Sequence, residues 1–363
     1  MQLTSKSLKT VDACRFCWMC RHICPIGNAT GQERNTSRAR ALALSMVVRN
    51  VEPLDQMIDN VYECALCGAC TKECLTGWDP TQFTSEAKFE AALEGCTPAH
   101  IAKLLDNIEQ TGSVYGKKNR FFANSGDFVL GENKDALFFC GQDMLAQMPT
   151  DRFKNPVFLL ANAGMEITAL ADEPSSGYDL FFLVGAAEET RQAAQKCAAV
   201  LNQFKTVVCY DPNDAKMFLR QYKEWGIELT AQIKTFPAVL ADLVVSGKLT
   251  PKKSSETFTF QDPAALARDL EDTTSARTVL SACGELKEFL LHGKDTNLAG
   301  NLIMGQYMPE AMAQVARNRW RDAQGVGATT VVTASPAEYV SLKAVQPEGM
   351  NLLTLEEAVA KCL

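Results

Sequence analysis

Two cysteine quartets constrain this chain more than anything else in it. Cys14, Cys17, Cys20 and Cys24 follow the spacing C-x2-C-x2-C-x3-C, and Cys64, Cys67, Cys70 and Cys74 repeat it gap for gap. That run is the spacing of [4Fe–4S] ligation, in which three thiolates wrap one cluster and the fourth reaches another. The reason is geometric. A tight loop with two-residue gaps delivers three sulfurs to the iron corners of a cubane, and its reach is then used up, so the last corner is filled from elsewhere. Soft thiolate sulfur selects iron–sulfur clusters or zinc over hard cations. Zinc sites usually join two C-x2-C pairs across a longer spacer, four ligands per ion, and two identical quartets fit that poorly. The expectation is two [4Fe–4S] clusters.

Clustered thiols serve as ligands where they stay reduced. Residues 1–11 are polar, carry Lys6 and Lys9 and have no apolar run behind them, so no secretory signal is predicted and a cytoplasmic location is expected. The best apolar stretch, residues 41–48 between Arg40 and Arg49, falls far short of the roughly 20 residues a spanning helix needs, so no membrane span is predicted. Overall acidity, a net charge of −7, argues against a nucleic-acid partner. That charge is uneven. The first 50 residues hold Lys6, Lys9, Arg15, Arg21, Arg34, Arg38, Arg40 and Arg49 against Asp12 and Glu33, a local balance of +6, which leaves −13 for the rest. Cations near an anionic cluster stabilise its reduced form; the same arginines also fit a solvated helix face or a docking patch.

The 363 residues predict about two domains, each large enough to bury its own core. Residues 1–125 hold both quartets and show helical spacing at 38–48, 86–93 and 99–108, with Thr97 as N-cap and Pro98 at N1. They read as a small all-helical domain. Residues 111–134, rich in Gly and polar side chains, read as a connection. From Asp135 the texture changes. Short apolar runs at 136–140, 157–160, 180–184, 206–209, 257–260 and 329–333 alternate with helical segments such as 188–204 and 309–323. Buried strands between amphipathic helices imply an α/β domain with a mostly parallel sheet over 135–363. It reads as a duplication. Val207-Val208-Cys209-Tyr210-Asp211-Pro212 resembles Val331-Val332-Thr333-Ala334-Ser335-Pro336, and a glycine precedes each proline by 35 or 36 residues, at Gly177 and Gly300. Two lobes follow, about 135–245 and 255–363.

The 39 residues between Cys24 and Cys64 exceed the spacing of compact bacterial ferredoxins. Paired quartets on helical segments resemble the α-helical ferredoxin domain of succinate dehydrogenase, glycolate oxidase and heterodisulfide reductase iron–sulfur subunits. The resemblance implies that Cys14, Cys17, Cys20 and Cys74 hold one cluster, and Cys64, Cys67, Cys70 and Cys24 the other. Pro25 matches the Cys-Pro of that family, and Leu75 departs from it. The second half resembles the cysteine-rich "CCG" domain that follows this ferredoxin in the glycolate oxidase and heterodisulfide reductase families, an α/β duplication with a Cys-Cys-Gly and a Cys-Pro-x-Cys in each repeat. Here those positions read Ser175-Ser176-Gly177 and Leu298-Ala299-Gly300, then Asp211-Pro212-Asn213-Asp214 and Ser335-Pro336-Ala337-Glu338. The His-Asp-Pro-Cys-His segment reads Gln261-Asp262-Pro263-Ala264-Ala265. The turn-forming residues are kept while the thiols are gone, so by this resemblance the domain holds neither noncubane cluster nor zinc.

The other six cysteines (Cys96, Cys140, Cys197, Cys209, Cys283 and Cys362) stand singly and read as core residues. Asp211, Asp214 and Glu338 read as helix caps before they read as ligands of a hard metal. Gly325-Val326-Gly327 lacks the third glycine of a dinucleotide site, and there is no P-loop or H-E-x-x-H, so no flavin or nucleotide site is expected. His22 and Trp18 lie in the first loop: His22 fits a solvated surface or the tuning of a cluster, and Trp18 fits a shield over a cluster or a docking surface. No nucleophile–base pair and no catalytic residue is identified. The resemblance implies an electron-transfer subunit. Its partner would be an FAD-linked dehydrogenase or oxidase or an electron-transferring flavoprotein, and its further acceptor a ferredoxin or quinone. A heterodisulfide reductase-like or 2-hydroxyacid-oxidising catalytic subunit, and an iron–sulfur sensing or interaction protein, are the alternatives.

Overall fold

A computed structural model describes residues 4, 7, 13–117, 135–149, 152 and 154–363. Lys6, Lys9, Asp12 and the connection beyond residue 117 lie outside the described residues. The amino-terminal part is helical: α1 (Pro25–Thr30), α2 (Ser37–Val48), α3 (Leu54–Tyr62), α4 (Ala69–Glu73), α5 (Pro80–Leu93) and α6 (Ala99–Thr111). Local chemistry sets the starts. Thr36 Oγ1 accepts from the Ala39 N–H before α2, and Asp79 accepts from Thr81 and Gln82 with Pro80 at the first position of α5. Pro98 occupies the N-cap of α6 itself, one position earlier than its predicted N1 place, so the Thr97 side chain caps nothing there.

The α/β part runs β1 (Ala136–Phe139), α7 (Gln142–Gln147), α8 (Lys154–Asn162), α9 (Tyr178–Val184), α10 (Glu188–Leu201), β2 (Thr206–Cys209), α11 (Pro212–Lys216), β3 (Gln232–Thr235) and α12 (Phe236–Val245). It continues with β4 (Thr257–Gln261), α13 (Ser275–Cys283), β5 (Glu285–Leu286), α14 (Leu302–Gly305), α15 (Pro309–Gly325), β6 (Thr330–Thr333), α16 (Pro336–Ala344), β7 (Asn351–Thr354) and α17 (Leu355–Ala360). Two parallel sheets form, β1-β2-β3 and β5-β4-β6-β7. Their orders correspond, because Thr168 bridges Leu137 on the outer side of β1, where β5 flanks β4. The endings correspond too. β2 and β6 each lead to a capped helix with Pro at its start, and β3 and β7 each end in a threonine that caps the next helix.

Apolar runs at 136–140, 206–209, 257–260 and 329–333 became β1, β2, β4 and β6. Those at 157–160 and 180–184 did not: they lie in α8 and α9, because a run of four or five apolar residues suits a buried helix face as well as a strand. β3, β5 and β7 carry Gln, Lys, Glu or Asn among their few residues, so no apolar run marked them.

The helical part does not bury its core alone, contrary to the expectation of two self-sufficient cores. Leu44, Val61, Phe83, Ala87 and Ile101 are fully buried in one cluster with Phe182 and Leu183 of α9, Ile303 and Met304 of α14, and Met312 and Val315 of α15. Polar side chains also tie the seam. Tyr62 Oη donates to the Leu183 carbonyl at 3.0 Å and Lys88 Nζ to the Phe182 carbonyl at 2.9 Å, both capping the end of α9. Among the described residues no helix is long and apolar enough to cross a membrane.

Candidate metal centre

The two cysteine loops share one backbone shape. Phe16 and Leu66, each two residues after the first cysteine, have φ of 51° and 50°; Trp18 and Gly68, each one residue after the second, both have φ of 74°. Left-handed backbone is costly for large side chains and persists where the surroundings over-determine it. It turns N–H groups inward: the Phe16 N–H donates to Cys14 Sγ and the Leu66 N–H to Cys64 Sγ, both at 3.4 Å. The last cysteines match as well. Cys24 precedes α1 with φ −70°, ψ 113°, and Cys74 follows α4 with φ −77°, ψ 108°.

The loops cross. Cys24, from the first loop, lines one small cavity with Cys64, Cys67 and Cys70 of the second, together with Arg40 and Ile26. On the other side, burial pushes the Cys14 and Cys20 thiols up, and in both the nearby Cys74 adds to the rise by like-charge repulsion. Cys70 is raised strongly, first by burial and then by Cys64, Cys67 and Cys24. Burial is uneven: Cys24 and Cys70 are buried, while Cys17 is exposed. Among the described residues, no three His, Cys, Asp or Glu side chains converge as they would on one bare ion. A cubane places its sulfur ligands on separate iron corners, wider apart, and thiols with N–H donors aimed at sulfur suit that group.

Residues 10–78 match the 4Fe-4S dicluster domain family. This chain is an iron–sulfur protein. No curated protein matches it. The match covers the two loops and stops short of everything from α5 onward.

Three cations that sequence reasoning passed over, or left in a patch, surround the second loop. Arg40 is 2% exposed and donates to the carbonyls of Asn60 and Glu63. Lys88 is fully buried, over the rings of Phe182 and Tyr62 at 4.2 and 5.2 Å. Arg268 reaches in from the α/β half. Its guanidinium donates to the Cys67 carbonyl at 2.7 Å and to the carbonyls of Lys294 and Thr296. Burial raises the Cys67 thiol and this guanidinium pulls it back. No spacing rule links Arg268 to a loop some 200 residues away. By contrast, Trp18 lies exposed between Arg21 and Arg38, which both pair with Glu33, and Arg34 pairs with Glu63. His22 is exposed.

In the α/β half, Asp211 caps its helix as expected, and Ser335, outside that expectation, caps the corresponding one. Asp214 and Glu338 do not. They are buried and reach across to the glycine segments, where Ser176 Oγ donates to Asp214 and the Ala299 N–H donates to Glu338 at 3.3 Å. Gln261 and Thr333 also donate to Glu338, whose carboxyl burial pushes up to about 8. Asp262 accepts both guanidinium nitrogens of Arg277 at 2.7 and 2.8 Å. Cys283 and Cys362 are not single: their thiols are neighbours, and Cys362 Sγ lies 3.5 Å from the Cys283 carbonyl.

Proposed function

We propose that the chain is an electron-transfer subunit with two [4Fe–4S] clusters, one on Cys14, Cys17, Cys20 and Cys74 and the other on Cys64, Cys67, Cys70 and Cys24. The observation that carries this reading is the placement of Cys24 beside the second quartet and of Cys74 beside the first. When bound, the clusters supply reversible one-electron chemistry. The crossed loops hold the two ligand sets side by side, and the N–H donors of Phe16 and Leu66 ease the charge on sulfur. Exposed Cys17 and Trp18 put the first set at the surface, where a redox partner can approach. The partner is a flavoprotein, an FAD-linked dehydrogenase or oxidase or an electron-transferring flavoprotein, and the acceptor a ferredoxin or quinone. The α/β half acts as a scaffold that braces the second loop through Arg268.

Anaerobically prepared protein should contain about eight iron and eight acid-labile sulfide per chain, as two cubanes require. It should also co-purify with a flavoprotein whose substrate reduces both clusters. Iron near four, or clusters that no flavoprotein reduces, refutes the reading. A second reading, catalysis within this chain, draws on a cavity of about 50 Å³ between Cys67, Pro212 and Glu338. Turnover of a disulfide or 2-hydroxyacid by the isolated chain would favour it.

A further inference from the structure

All three cations around the second loop share one property. Among the described residues, every hydrogen-bond acceptor of Arg40, Lys88 and Arg268 is a backbone carbonyl. A carbonyl satisfies N–H geometry and neutralises no charge. A cation taken out of water without a counter-ion is costly, and here three come from separate elements: α2, α5 and the short π-helical segment Ala265–Asp269 after β4. What they share is the set Cys24, Cys64, Cys67 and Cys70. Arg40 lines the same cavity as all four thiols. Arg268 bonds the Cys67 carbonyl, and its Cδ lies 3.7 Å from where a Cβ on Gly68 would stand. Around the first loop Arg21, Arg34 and Arg38 each face a glutamate, and Arg15 donates to the Cys14 carbonyl.

We propose that these three cations take the second cluster as their counter-ion, making it the higher-potential of the two and the one on which an electron entering the chain comes to rest. The inference rests on the two-cluster reading above. A cluster with four thiolates is an anion and gains one further negative charge on reduction, so unneutralised cations beside it favour the reduced form. Burial works the other way, since a buried site disfavours added charge. A unit charge about 6 Å away, at an effective dielectric near 20, would shift a one-electron equilibrium about a hundredfold toward the reduced form. Arg40 and Arg268 act together here, joined by Lys88 where it is protonated. Burial lowers the Lys88 amine to about 7 while Cys64 pulls it back up, the direction in which an anion beside that cysteine also acts. Arg40, Lys88 and Arg268 are positioning residues that tune the cluster through its ligands. The electron therefore moves from the exposed first set toward the buried second, next to the α/β half.

The test is a redox titration of the intact chain, prepared anaerobically and followed by EPR, with each signal assigned by its disappearance in Cys64→Ala. The signal lost in that variant should be the higher-potential one. Arg268→Gln should lower its reduction equilibrium at least tenfold, which is 59 mV for one electron, and leave the other signal in place. Arg268→Lys, which keeps the charge, should restore most of the shift, a rescue that a purely structural role would not produce. Lys88→Met, close in volume, should lower the same signal if Arg268→Gln fails to fold. A higher-potential signal that survives Cys64→Ala, or a shift in the other signal or in neither, overturns the proposal while two clusters still stand. A wild-type chain with a single titrating cluster overturns the two-cluster reading itself.

Discussion

Replacing Cys24 with alanine separates crossed from sequential ligation. Cys24 is 8% exposed, and its Sγ lies 3.6 Å from the Asn35 carbonyl. Deleting one buried sulfur costs about 1 kcal/mol in packing, against roughly 5–15 kcal/mol of stability for a domain. The chain should therefore stay folded, and lost iron should report lost ligation. Cys24→Ala and Cys64→Ala should each lower iron from about eight to about four per chain. The double variants decide the matter. With crossed ligands, Cys24→Ala combined with Cys64→Ala still holds about four iron, because both changes strike one cluster, whereas Cys24→Ala combined with Cys14→Ala holds almost none. Sequential ligation inverts both results. The assay is anaerobic isolation with iron and sulfide determination, and EPR of the dithionite-reduced samples. An iron-free Cys24/Cys64 double variant beside a half-loaded Cys14/Cys24 one would refute the crossed assignment.

Other outcomes follow from the same structure. Gly185→Ala should destabilise the seam between the two parts by about 2–4 kcal/mol, from left-handed backbone and overpacking: φ there is +62°, and a Cβ would meet the Ser85 carbonyl oxygen at 2.6 Å. An unchanged urea midpoint would show that α9 docks differently. Glu338→Gln should flatten the pH dependence of stability. The folded carboxyl titrates near 8 against an ordinary 4.5, so the folded state binds more protons between those values. This contribution is then fully present below pH 4.5 and lost as pH rises through 8. The variant should gain about 1–3 kcal/mol on wild type at pH 8 relative to pH 5, read from urea melts at both; parallel profiles would count against a protonated Glu338. Cys209→Ala, at a fully buried thiol on β2, should leave iron content unchanged. A drop in iron would place a ligand in the α/β half.

Legibility followed the range of the contacts. The ends of β2 and β6 stood out because a buried strand, a capping side chain and a proline fall within six consecutive residues. α8 and α9 were misread because short apolar runs carry no period of their own. Asp214 and Glu338 resembled caps because they sit in the first turn of a helix, yet their partners lie 38 and 39 residues upstream. Nothing in the sequence marks Lys88, and only the packing of α9 against α5 encloses it.

By itself the sequence determined the cofactor chemistry. Two-residue gaps between thiols shape a loop whose ligands are neighbours in the chain, so the spacing already encodes the site. The tertiary structure decided which loop Cys24 and Cys74 face, which cations stand beside the second set, and that the helical part shares its core with the α/β half. Those contacts join residues tens to hundreds of positions apart. No local period or spacing records them, and only the packing of the whole chain brings them together.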